Sequence, residues 1–287
     1  MLPKIGIFLI INIILTFLFS NVASATGTEI AESGGSILPL ALDLANFVLI
    51  DIAMVLIYLA MREYKRAEIN TALIYFLIGT LQLGLIRVFL LLVITKVFQL
   101  DDAAIVMIWH IIFYIAIFSF YIGARKLFQI ANNKAANVSR KSAVYFGFIS
   151  LIFSLSLIAS AVQLNSVYVS TFGGFIWDNI GLQHFIAFAQ AGLVSLYMFS
   201  IRKKIGPNFA LIITPLLFTF ALFSLIHFWE LLTENWKILS LTDDFIELIE
   251  SVIAFPAYIF IVIAFIRRRA VKEIAPENAI TPPNPTT

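Results

Sequence analysis

Cysteine is absent from this 287-residue chain, which excludes disulfides, thiolate metal sites and a cysteine nucleophile. Charge is scarce too. Asp, Glu, Lys and Arg make up only 13% of residues, against 61% hydrophobic residues and 28 phenylalanines. A chain so composed cannot cover itself with a water-facing surface, so it reads as an integral membrane protein whose first partner is the lipid bilayer. The net charge of +2 is too small to imply a nucleic-acid partner. The GxSxG elbow, the HExxH pair, the phosphate loop and the dinucleotide fingerprint are all missing.

What is present is a series of long apolar runs. Residues 1–25 have the form of a secretory signal: Lys4, an apolar stretch from Ile5 to Phe19, then Ala23-Ser24-Ala25 as a small-residue cleavage site. An uncleaved first helix is the alternative. Residues 26–37 follow as an outer N-terminal segment. Seven further runs, at about 38–61, 70–95, 103–124, 143–163, 182–201, 208–228 and 246–266, each approach the roughly 20 residues that cross about 30 Å of hydrocarbon. Lipid offers the backbone no hydrogen-bond partner, so these are helices. The fold class is therefore all-α: a bundle of seven transmembrane helices over 38–266, with a short basic and then Pro-rich tail over 267–287.

The basic residues give the orientation. Arg62, Lys65 and Arg66 follow helix 1, Arg125, Lys126, Lys134, Arg140 and Lys141 follow helix 3, Arg202, Lys203 and Lys204 follow helix 5, and Arg267, Arg268, Arg269 and Lys272 follow helix 7. Basic flanks stay cytoplasmic, so the mature chain has its N-terminus outside and its C-terminus inside, in a plasma or inner membrane. Asn137-Val138-Ser139 matches a glycosylation sequon but falls on the inner side. The longest outer connections are about 164–181, where VYVSTFGGFIW is compatible with a short hairpin, and about 229–245. No output domain follows the helices.

The chemically capable residues gather at the outer ends. On a helix, His227, Glu230 and Glu234 share one face, and Asp243, Glu247 and Glu250 repeat that spacing at the start of helix 7. His110, at about 10 Å along helix 3, and His184, at the start of helix 5, fall at the same level. All three histidines are thus outer, as are Trp109, Trp177, Trp229 and Trp236, which read as an interfacial belt. Imidazole and carboxylate are ligands for zinc, iron, copper or manganese, so His110, His184, His227 and Glu230 form a candidate metal site. Pairs of imidazoles on different helices would alternatively ligate a haem b.

Charged residues within the helices carry a second signal, because each is costly unless it faces protein or water. Arg87 in helix 2 needs an anion, and Asp51, Glu247 and Glu250 are the candidates. With Glu234, these residues are candidates to support the metal ligands or to form a pathway to them. Asn179, Gln183 and Gln190 make a polar stripe on helix 5, and Ala187-x-x-x-Ala191 and Ser156-x-x-x-Ser160 are close-packing spacings. Pro215 and Pro256 are expected to kink helices 6 and 7.

Helix 7 has no lysine, which excludes a retinal Schiff base there, and the signatures of the G-protein-coupled receptors are missing from helices 3 and 7. No inverted repeat of the transporter type is evident. Three functional readings follow. One is an outer-facing metal or haem site serving uptake, delivery or redox work. Another is a sensor or complex subunit that acts through a membrane-protein partner. The third is an intramembrane metal hydrolase with Glu230 or Glu234 as base.

Overall fold

The computed structural model describes residues 38–64, 67–94, 102–132, 140–163, 180–239 and 241–266. Its helices are α1 (Leu38–Glu63), α2 (Ala67–Ile94), α3 (Asp102–Ala131), α4 (Arg140–Gln163), α5 (Ile180–Arg202), α6 (Gly206–Glu230) and α7 (Asp243–Ile266). All seven are long and apolar enough to cross a membrane, and the described residues contain no strand. The signal segment, residues 26–37, the sequon, Trp177, Asn179 and the tail after Ile266 lie outside the described residues, as does the expected hairpin over 164–179.

Two helices run further than hydropathy alone suggests. α3 continues to Ala131 and carries Arg125 and Lys126 in its last turns. The Lys126 stem is buried while its ammonium donates to Gln129 Oε1 at 3.0 Å, the familiar way a lysine ends an apolar span. α6 passes into one π turn, Leu231–Asn235, so the connection to α7 shrinks to residues 236–242.

Six helices close a ring in the order α1, α2, α3, α5, α6, α7, with α7 packed back on α1, and α4 lies outside it against α2 and α3. Helices associate in lipid through shape and small residues, there being no hydrophobic drive between them. The α2–α3 seam shows this reciprocally: a Cβ at Gly79 would lie 2.5 Å from the Phe120 ring, and one at Gly123 would lie 2.8 Å from Phe76. α5, on which Ala187 and Ala191 are fully buried, meets α6 with the Ser224 hydroxyl donating to the Phe188 carbonyl and Ser195 to the Leu217 carbonyl. On α4 the Ser156 spacing is not the packing face, since Ser156 is exposed. Ser154 is buried there instead and donates to Gln82 Oε1 on α2 at 2.7 Å.

Aromatic side chains fill the ring interior away from the histidines. Phe76 (α2) packs on Phe120 (α3) and Phe265 (α7), each with centroids 5.8 Å apart, and Phe120 packs on Phe220 (α6) at 5.2 Å. All four are essentially inaccessible. The column continues through Phe223 and Phe113 to the His227 ring, 4.8 Å from Phe113. These phenylalanines form a plug in the bundle interior that reaches the histidine group, with the buried Thr80, Ser119 and Thr219 beside it.

Candidate metal centre

Three helices supply the polar group. α3 runs away from that end and presents His110, α5 begins there and presents His184, and α6 arrives there with His227 and Glu230 one turn apart. The relative exposures are 1%, 3%, 1% and 6%, so all four are buried. One donor atom from each residue can be chosen so that all lie within 4.8 Å of one another. Glu230 Oε2 stands 2.5 Å from both His184 Nδ1 and His227 Nδ1. The imidazole centroids are 4.7 Å apart for His110 and His184, 5.3 Å for His110 and His227, and 6.0 Å for His184 and His227.

The hydrogen bonds fix part of the chemistry. His110 Nδ1 lies 2.7 Å from the Val106 carbonyl, which only accepts, so Nδ1 carries a proton and in the neutral ring Nε2 keeps its lone pair. That Nε2 is buried without a hydrogen-bond partner among the described residues. Backbone anchoring of one ring nitrogen with the other left free is how metal-ligating histidines are commonly held. His184 differs: Nδ1 approaches Glu230, and Nε2 stands 3.5 Å from Glu234 Oε2, yet neither contact has hydrogen-bond geometry.

Local backbone structure places the carboxylates. Glu230 immediately precedes the π turn, whose wider loop is closed by Trp236 N–H donating to the Leu231 carbonyl at 2.9 Å. π turns inserted in α-helices recur at functional sites because they redirect side chains. Here Glu234, with a side chain 42% exposed, stays within reach of His184. Lys237, at φ 47°, ends the segment in the left-handed region. Gly181 lets α5 come this close, because a Cβ there would lie 2.8 Å from Asn235 Oδ1 on the π turn.

The surrounding residues sort differently from the sequence expectation. Trp109 stacks on Phe113 at 5.2 Å and meets His227 edge-on at 5.1 Å, so it walls the cluster rather than standing only in an interfacial belt. Tyr114 donates to the Gln183 carbonyl at 2.8 Å, next to His184, and Gln190 Nε2 donates to the Tyr114 carbonyl at 3.4 Å. Glu250 on α7 has a buried Oε1 without a hydrogen-bond partner among the described residues. Glu247 is exposed.

Arg87 is held by Asp43, not by Asp51, Glu247 or Glu250. Its Nη1 donates to Asp43 Oδ1 at 2.6 Å, and its Nε donates to Tyr258 Oη at 3.3 Å with the guanidinium 5.2 Å from the Tyr258 ring centroid. Asp51 Oδ1 is buried, with no hydrogen-bond partner among the described residues. Helix depth explains the difference. Asp43 precedes the end of α1 by as many residues as Arg87 follows the start of α2, whereas Asp51 lies about 12 Å nearer the connection at about 1.5 Å per residue. The residues that sequence reasoning passed over are thus Asp43 and Tyr258 as partners of Arg87, and Gly181 and the π turn as supports. Depth counting would have found only the first.

No protein-family model matches the chain, and the searches of curated proteins and of solved structures likewise return no match.

Proposed function

We propose that this polytopic membrane protein holds one transition-metal ion in the His110–His184–His227–Glu230 cluster. The observation that carries the reading is the convergence of four buried donors from three helices, with His110 Nε2 left without a hydrogen-bond partner among the described residues. An unsatisfied buried polar atom costs about 1–3 kcal/mol, and a cation at the point of convergence removes that cost. Four donors at about 2.0–2.1 Å from a tetrahedral ion stand about 3.3 Å apart. Small side-chain rotations would bring the present contacts to that spacing.

The donor set is nitrogen and oxygen, which suits divalent zinc, iron, manganese or copper and lacks the soft sulfur that favours Cu(I). The close mutual approach of three imidazoles and a carboxylate supports a bare ion over haem b, whose macrocycle would have to lie between two of the rings. Glu230 Oε2 lies against two histidines, which favours Glu230 as a ligand over Glu230 as the base of a hydrolase. The phenylalanine plug beneath the site favours exchange from one face of the bundle over conduction through it. With the basic connections inside, that face is the outer one.

Elemental analysis and ultraviolet-visible absorption, on protein purified without a metal-binding tag, test the reading. Stoichiometric metal that disappears in His110→Ala, His184→Ala or His227→Ala supports it. Metal-free protein that also fails to take up added Zn²⁺, Mn²⁺, Cu²⁺ or Fe²⁺ overturns it.

A further inference from the structure

We propose that Glu234 and Glu250 form the entrance through which a hydrated divalent cation reaches the buried centre, from the end of the bundle where α6 passes into α7. The inference rests on the metal reading above and adds the route, its direction and the class of species that uses it.

A buried ion site needs a way in. The phenylalanine plug of Phe76, Phe120, Phe220 and Phe265 closes the opposite end, and Trp109 stacked on Phe113 closes the side next to His227. At the α6–α7 end the carboxylates are graded in exposure. Glu234 is 42% exposed and Glu230 only 8% by side chain. Between these extremes Glu250 is half-buried, with one oxygen out of solvent and unpartnered.

Two independent features point inward. His184 Nε2 belongs to a ring 4% exposed, has no hydrogen-bond partner, and lies 3.5 Å from Glu234 Oε2. Glu250, about two turns into α7 from this same end, holds one oxygen out of solvent with no hydrogen-bond partner among the described residues. A cation arriving at Glu234 is therefore already beside an imidazole, with the Glu250 carboxylate on α7 as a second anionic ligand at the same end of the bundle. Hard oxygen ligands exchange with water one at a time, so the ion sheds its hydration in steps and never crosses the apolar wall as a bare charge. Clefts lined by one sign of charge also raise the local concentration of the opposite ion and hence its on-rate.

The test is stopped-flow uptake of Co²⁺ by metal-free protein in detergent, read by the visible absorption of the bound ion, with stoichiometry measured at equilibrium. Glu234→Gln and Glu250→Gln are each expected to slow uptake roughly 10-fold and flatten its dependence on ionic strength, while final stoichiometry stays that of the parent. Glu234→Asp, which keeps the charge, is expected to restore most of the rate. Glu68→Gln, at an exposed residue of the opposite end, is expected to match the parent. Rates within twofold of the parent in both Gln variants overturn the entrance while leaving the metal site standing. Loss of stoichiometry in Glu234→Gln overturns it by making Glu234 a ligand. A parent that takes up no Co²⁺ overturns the entrance and the Co²⁺ site together.

Discussion

Asp43 and Arg87 meet at 2.6 Å across the α1–α2 hairpin, at equal distances along their helices from the connection that joins them. The side chains are 18% and 13% exposed, so the pair is largely removed from solvent. Removing one partner strands the other charge, which costs about 3 kcal/mol or more in comparable settings. Arg87→Ala is expected to lower the thermal midpoint in detergent markedly, and Asp43→Asn to do so as well. The double variant is expected to lose less than the sum of the two. Additive losses would show that the two groups act independently.

Acidification is expected to release the bound metal. Imidazole ligates only when neutral, so protons compete with the ion for His110, His184 and His227, and affinity falls as pH falls. Each imidazole that takes up a proton contributes a factor of up to about ten per pH unit. Competition titration against a chelator of known affinity, at several pH values, measures that slope. A profile that stays flat well below a pH of about 6.5, where free imidazoles take up protons, would remove the histidines from the ligand set.

Gly181 is expected to control the centre without touching it. A valine there would push against Asn235, 2.8 Å from where its Cβ would fall, and drive the start of α5 away from the π turn. His184 lies one turn further along α5. Gly181→Val should therefore weaken metal affinity by at least tenfold while helical content by circular dichroism stays that of the parent. Unchanged affinity would show that His184 is positioned by α5 packing deeper in the bundle.

Topology is open to a direct check. With basic residues after helices 1, 3, 5 and 7, a C-terminal reporter is expected in the cytoplasm, and a label at Lys237 is expected to react from outside the cell. An external C-terminus would reverse the face from which the centre exchanges its ion.

The sequence by itself determined the seven apolar spans that follow the N-terminal segment and that they are helices, because a bilayer leaves an apolar run no other way to satisfy its backbone. It also determined that His227 and Glu230 share a face, since that follows from one helix and its period. Their meeting with His110 and His184 belongs to the tertiary structure. In lipid the choice of neighbouring helix is made by shape, as at Gly79 and Phe120, and hydropathy carries almost no trace of it. That is why the placement of α4 outside the ring, which leaves α3 to adjoin α5, was not legible. The partner of Arg87 was legible in part, because hairpin geometry selects Asp43 over Asp51 by depth alone. The π turn was not, because inserting one residue's worth of backbone at Leu231–Asn235 changes where Glu234 points without altering the composition that a hydropathy reading sees.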